Sequence, residues 1–219
     1  MKFFVIIKDK SQRLPNKNFL MLGDKPLYRH LLDEIKSEDV YVDTDSDRIL
    51  EDLKNSSINC YRRNQKFVDL EYNNEFKVSP VLLMIENFLD KYVEDENEII
   101  VTPHVTSPFI KLSTILKASK KLDDGYDSIQ SCVSHQNFTY FKGKPVNFNP
   151  DVVQKTQDLE PVLMGNGSFF IFTKKTFKLH KNRTGKNPYF YPIGFPEDVE
   201  IDNKEHWELT KGVYSTYGK

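Results

Sequence analysis

The chain has 219 residues and a formal net charge of −1, with 31 Lys+Arg against 32 Asp+Glu. That balance excludes a protein whose main task is to neutralise nucleic-acid phosphates. Hydrophobic residues at 38% and charged residues at 29% suit one soluble, globular domain over 1–219, and a chain this long buries roughly 70% of its unfolded surface.

Only six basic residues are arginines: Arg13, Arg29, Arg48, Arg62, Arg63 and Arg183. Each is worth following, because arginine offers a planar fork for phosphate or carboxylate that lysine lacks. Cys60 and Cys132 match no metal spacing and sit in strand-like runs, so both are expected as buried thiols. No stretch approaches the ~20 apolar residues of a membrane span. The apolar run at the N-terminus is too short for a signal peptide, so a reducing, cytoplasmic setting is expected.

The first element is a continuous β-rich run over 3–7, the pattern of a buried parallel strand. A polar loop over 8–18 follows. Pro26 then opens a helix with Leu27, Leu31, Leu32 and Ile35 on one stripe. A short strand over 40–42 ends in Asp43-Thr44-Asp45. Ser46 stands where it can cap a helix carrying Ile49, Leu50 and Leu53. A strand over 58–61, a polar loop with Arg62 and Arg63, and an amphipathic helix over 79–92 come next. A strand over 98–102, a helix over 113–122 and a strand over 128–133 complete the alternation. Strand–helix alternation of this kind predicts an α/β fold: an open, mostly parallel sheet with helices on both faces.

The texture changes over 135–165, where Pro145, Pro150 and Pro161 interrupt a run rich in Asn and Gln. This reads as an inserted arm. Its apolar members, Phe138, Tyr140, Phe141, Val146, Phe148, Val152 and Val153, pack either on a partner subunit or on their own domain. Strand character returns over 168–172, and Trp207 and Leu209 lie on a short final helix. Tyr189, Phe190 and Tyr191 read as core and interface aromatics.

Ligands of open α/β sheets bind beyond the carboxyl ends of the strands. The 8–18 loop lies at such an end and holds four cations among hydroxyl and amide groups. That chemistry suits a triphosphate, although a solvated basic loop has the same composition and no P-loop pattern is present. Near the other terminus, Glu200 and Asp202 are two residues apart. On a strand they would face one side and offer hard oxygen ligands for Mg²⁺; a solvated acidic pair is the alternative. Asp43 and Asp45 are read as structural acceptors.

The order of these residues resembles the sugar-acid cytidylyltransferases, the CMP-nonulosonate synthetases (acylneuraminate, pseudaminate and legionaminate types) and the related CMP-Kdo synthetases. The resemblance rests first on Ser11-x-Arg13-Leu14-Pro15-x-Lys17-Asn18 with Leu22-Gly23-Asp24-Lys25-Pro26-Leu27 after it. It continues through Val42-Asp43-Thr44-Asp45, Arg62 after the third strand and Thr106-Ser107-Pro108. It closes with Asn166-Gly167 before Phe169-Phe170-Ile171, and Glu200-Ile201-Asp202 with Trp207. It departs from the family pattern at Lys8, Gln12, His104-Val105 and Ile110, and at Met164-Gly165, where an arginine usually precedes Asn-Gly.

The resemblance implies a Rossmann-like nucleotidyltransferase domain that transfers CMP from CTP to a 2-keto sugar acid. By carry-over, Lys8, Arg13, Lys17, Asn18 and Arg62 bind the nucleotide, with Arg13, Lys17 and Asp202 catalytic. Thr106, Ser107 and Asn166 contact the sugar acid or the nucleotide, His104 contacts the sugar acid, and Glu200 and Asp202 hold Mg²⁺. His104 occupies a substrate-reading position; a hydrogen-bonded loop histidine is the other reading. A homodimer joined through the arm is a further expectation, and neither a nucleic-acid nor a membrane partner is expected. A Kdo-type or other sugar nucleotidyltransferase is the alternative enzyme, and a catalytically weak nucleotide-binding relative is the alternative class.

Overall fold

A computed structural model describes residues 1–73 and 78–218. In chain order the strands and helices are β1 (Lys2–Ile7), β2 (Met21–Leu22), β3 (Lys25–Pro26), α1 (Leu27–Ile35), β4 (Asp39–Thr44), α2 (Asp47–Leu53) and β5 (Asn59–Arg62). Next come α3 (Gln65–Asn73), α4 (Pro80–Tyr92), β6 (Ile99–Pro103), α5 (Leu112–Ser119), β7 (Ser128–His135), β8 (Tyr140–Phe141) and β9 (Lys144–Pro145). The chain closes with β10 (Val162–Thr173), α6 (Lys174–His180), β11 (Pro188–Pro192) and α7 (Lys204–Tyr217).

Seven strands form one sheet in the order β11-β7-β10-β6-β1-β4-β5. Neighbours are parallel except β10, which runs antiparallel to both β6 and β7. The expected open, mostly parallel sheet is therefore present.

The alternation of side chains along each strand builds two cores. Phe3, Val5 and Ile7 of β1 face a cluster with Leu31, Ile35, Ile49 and Ile115, under α1, α2 and α5. Phe4 faces the opposite cluster with Met84, Phe88, Ile100, Phe172 and Phe177, under α4 and α6. Phe4 stacks on Phe88 with ring centroids 4.3 Å apart. Each such fully buried phenylalanine contributes about 2 kcal/mol relative to exposure.

Several elements differ from the sequence expectation. α3 lies within the stretch read as a polar loop, whose residues 74–77 are outside the described ones. α6 was not signalled, because only Phe177 and the polar Thr176 and Lys174 turn inward. The aromatic run 189–191 is an edge strand, parallel to β7. Prolines at both its ends fit an edge position, where a missing N–H costs no ladder bond. β10 begins at Val162, so the arm is shorter than 135–165 and joins two antiparallel strands of the sheet. Cys132 is buried as expected, but Cys60 is only half-buried, because β5 is the last strand of the sheet; both thiols are unpaired. Glu200 and Asp202 lie in an extended loop, not on a strand. Among the described residues no helix is long and apolar enough to cross a membrane.

Candidate active site

A cavity of about 300 Å³ opens beyond the carboxyl ends of β1 and β6. The loop after β1 forms one wall, with Lys8, Arg13, Lys17 and Asn18 among its lining. The loop is held by short-range chemistry. Asp9 donates its backbone N–H to Asp45 Oδ1 (2.7 Å) and accepts from Ser46 Oγ (2.7 Å) and Arg48 (3.1 Å). Ser46 thus stands at the N-cap of α2, but its hydroxyl serves Asp9 instead of the helix. Asn16 adopts a left-handed conformation (φ 55°) and turns the chain into a 3₁₀ turn over Lys17–Phe19. Buried Asn18 donates from Nδ2 to Lys8 O at 2.8 Å, a strut across the loop.

The second wall is the turn after β6. His104 N–H donates to Ser168 O (2.9 Å), and Ser107 N–H donates to His104 O (3.1 Å). His104 and Thr106 line the cavity. Ser107 does not; its hydroxyl is fully buried and has no partner among the described residues.

Ile201 pins the acidic segment between these walls. Its N–H donates to Thr106 O (2.9 Å), and its carbonyl accepts from Lys17 Nζ (2.8 Å). Its side chain is buried with Leu22, Leu27 and Trp207. The flanking Glu200 and Asp202 are held beside the cations, and Asp202 pairs with Arg13 at 2.6 Å. The Glu200 carboxyl is pushed up to about 7, by burial and by the charge of Asp202, against the pull of Lys17 and Arg13. Lys17 is pushed below its ordinary value, mainly by burial and then by Arg13 and Lys8, although Asp202 and Glu200 oppose this.

No group of three or more His, Cys, Asp or Glu side chains converges among the described residues. Two carboxylates are nevertheless a suitable donor set for Mg²⁺, which takes its remaining ligands from substrate phosphates and water.

Besides Ser107, four predicted residues are outside the cavity lining: Glu200 and Asp202, which stand beside Arg13 and Lys17, and Arg62 and Asn166. Arg62 does not line this cavity. It pairs with Asp47 and borders a neighbouring hollow of about 240 Å³ with Asp9, Lys10 and Asp45. Asn166 is engaged in a bulge where the β10–β7 register shifts: Ser131 Oγ donates to its Oδ1 (2.7 Å), and its Nδ2 donates to Ser168 Oγ (2.9 Å). Its neighbour Gly167, at φ +72°, is the residue that faces the site. A side chain there would stand 3.8 Å from both Glu200 Oε1 and His104 Nδ1.

Across 8–211 the chain matches the model of a family described as Cytidylyltransferase. The chain belongs to the cytidylyltransferase family. It is 26% identical over 209 residues to an N-acylneuraminate cytidylyltransferase of Streptococcus agalactiae serotype III, covering 89% of this chain and 48% of that protein. It is 26% identical over 227 residues to N-acylneuraminate cytidylyltransferase A of Danio rerio, covering 98% and 50%. The chain thus spans about half the length of the curated relatives it matches. Among solved structures, a CMP:2-keto-3-deoxy-manno-octonic acid synthetase complexed with CTP superposes with a TM-score of 0.64 at 12% identity, over 97% of each chain. That likeness establishes a shared fold.

Sequence reasoning missed four contributors to this cytidylyltransferase-family site. Arg63, not Arg62, is the buried arginine. It donates to Asp43 and Glu71, and Lys8 reaches the other Glu71 oxygen at 2.8 Å. Glu71 and Tyr72 line the cavity from α3, an element with too few apolar residues to announce itself. Arg183 lines it from the segment between α6 and β11. The scarcity of arginine was the one signal that pointed to these two arginines.

Proposed function

We propose that the protein transfers CMP from CTP to the anomeric hydroxyl of a sialic-acid-like 2-keto sugar acid, giving a CMP-sugar acid and pyrophosphate. The observation that carries this reading is a cavity lined by Lys8, Arg13 and Lys17, with Asp202 paired to Arg13 and Glu200 within the charge field of Lys17 and Arg13, in a chain of this family. The names of its relatives supply the acceptor class.

In the proposed reaction the acceptor hydroxyl oxygen bonds to the α-phosphorus as the bridge to the β-phosphate breaks; its proton passes to solvent, and pyrophosphate leaves. The chain positions groups and offsets charge. Lys8, Arg13 and Lys17 neutralise the triphosphate. Asn18 holds the loop that carries them. Arg13, now paired with Asp202, would pair with phosphate instead. Glu200 and Asp202 would hold Mg²⁺, which would supply Lewis-acid stabilisation of phosphate charge. His104 and Thr106 form the acceptor wall, backed by Ser107 and Asn166. Arg62 borders the hollow adjoining the first loop and so approaches the nucleotide from that side. A homodimer joined through the arm, in a cytoplasmic setting, completes the proposal; two unpaired thiols suit that setting.

The test is pyrophosphate release with each of the four NTPs, Mg²⁺ and a panel of eight- and nine-carbon 2-keto sugar acids. CTP with a nine-carbon acid is the expected pair. CTP with an eight-carbon acid moves the chain to the Kdo-type branch, the second reading. Absence of release with every pair rejects the enzymatic reading in favour of a nucleotide-binding relative.

A further inference from the structure

We propose that Arg183 grips the carboxylate of the acceptor sugar acid, oriented for that task by Phe170 and His104. The inference rests on the reading of the cavity given above and names a residue that selects its acceptor. The guanidinium carbon lies 3.8 Å above the Phe170 ring, and Nη1 is 3.3 Å from His104 Nε2. Stacking fixes the plane of the fork, and the bond to His104 fixes its rotation.

For Nη1 to donate, His104 Nε2 must be an acceptor, so the imidazole is neutral and its proton sits on Nδ1. Burial and the neighbouring Arg183 and Lys17 charges hold that ring at about 4, in keeping with a neutral form. Arg183 and His104 therefore present one positive charge, with donors of the fork still available.

The charge of Arg183 is also unanswered among the described residues. Arg13, Arg29, Arg48, Arg62 and Arg63 each pair with a carboxylate. Arg183 pairs with none among the described residues, yet it lines the cavity and is half-buried. Partial burial pushes its guanidinium down to about 10, which an anion would reverse.

Position separates this cation from the triphosphate wall. Arg183 stacks on β10, the Lys8 loop leaves β1, and β6 runs between them. Two strand spacings make about 10 Å. The cavity is thus bracketed by two positive poles, one suited to a triphosphate and one to a single carboxylate.

The chemistry of the acceptor links the second pole to the reaction. In a 2-keto sugar acid the carboxylate is bonded to the anomeric carbon, which also bears the attacking hydroxyl. A bidentate grip on the carboxylate sets the direction of that hydroxyl. Lysine at 183 would keep the charge and lose the fork.

The test measures binding of each acid of the panel, and of its matched carboxamide, to the wild-type chain, Arg183→Ala, Arg183→Gln and Arg183→Lys. CTP affinity with Mg²⁺ is measured on the same samples. The expected result is a loss of acid affinity of about 30-fold or more in the Ala and Gln variants, with a smaller loss for Lys. Carboxamide and CTP affinities should stay within about twofold, since neither contains the gripped group. Equal acid affinity in wild type and Arg183→Ala overturns the inference, and so does an equal loss for acid and carboxamide. Gln keeps the side-chain stem over Phe170 and covers a failure of the Ala variant to fold. If the wild type releases pyrophosphate with an acid whose affinity ignores Arg183, the inference fails and the proposed function stands. If the wild type binds no acid of the panel, both fail together.

Discussion

On the β1–β4–β5 side of the cavity, Arg63 is enclosed with Asp43 and Glu71, and it also donates to the carbonyl oxygens of Ile7 and Asp43. On the β10 side, Arg183 rests on Phe170 with a neutral histidine as its one partner among the described residues. The first arginine is satisfied by its own chain and serves the fold. The second is only oriented, and serves whatever anion enters. A buried charge with all its partners stabilises geometry, whereas one with a held shape and no partner stabilises a ligand.

The sharpest way to break this contrast is to remove each arginine and compare unfolding. Arg63→Ala leaves the Asp43 and Glu71 carboxylates buried without their partner. A loss of about 3–5 kcal/mol in denaturant unfolding is expected. Adding Glu71→Gln should restore part of it, because one uncompensated charge is removed. Arg183→Ala should change stability by only about 0.5 kcal/mol. Equal losses at both positions would erase the distinction between a structural and a receptive arginine.

Next in size is Asp202→Asn. It removes one of two proposed metal oxygens and unlocks Arg13, so turnover in Mg²⁺ should fall on the order of 10²-fold. Stability should hardly move, because the Asp202 side chain is 35% exposed and its bond to Arg13 is at the surface. Undiminished turnover would reject the metal assignment.

The same contrast explains what could be read from sequence. β1, β4, β6 and β7 declare themselves by continuous apolar runs, and α1 and α4 by helical spacing of leucines and isoleucines. Those patterns reflect burial on sheet faces, which composition records directly. The first loop and the Glu200–Asp202 pair were legible because their residues follow one another in a family order. α3 was not, since Phe67 and Leu70 are its main inward apolar anchors. Its Glu71 is buried through ion pairing, a cause that hydropathy cannot register. Arg183 lies in a non-repeating segment and reaches its partners through pairs distant in sequence, Phe170 and His104. The choice between Arg62 and Arg63 turned on which of two adjacent residues of an edge segment points inward. A one-residue difference reverses the face.

His104 supplies a smaller test of the receptive side. Its ring lies below the ordinary histidine value, at about 4, so the unfolded chain takes up its proton first as pH falls. Stability should therefore decline as pH drops from about 6.5 toward 4. Allowing for partial exposure, the contribution is on the order of 1–2 kcal/mol. His104→Gln keeps an acceptor for Arg183 and cannot titrate, so its stability curve should be flatter across that window. Parallel curves for the two proteins would show that His104 is not held neutral beside Arg183.

The smallest effect on the fold is expected in the arm, where the question is again what a group is left open to meet. β8 and β9 form a hairpin whose turn places Lys142 and Gly143 at φ 50° and 76°, the left-handed pair that matches strand twist. Phe138 and Tyr140 set their edges against Phe148, with centroids 5.0 and 5.1 Å apart, so the arm has a small core of its own. Phe141 is still 66% exposed, and Tyr140 62%. Replacing both by serine should alter unfolding by about 0.5 kcal/mol, because little of their surface is buried within one chain. Sedimentation should instead record the proposed dimer in the unsubstituted chain and a monomer in the variant, as expected when exposed aromatic anchors of an interface are removed. A dimer that survives the double substitution places the interface elsewhere. A stability loss of several kcal/mol without a change of mass would mean that the arm packs on its own domain, the other reading its sequence allowed.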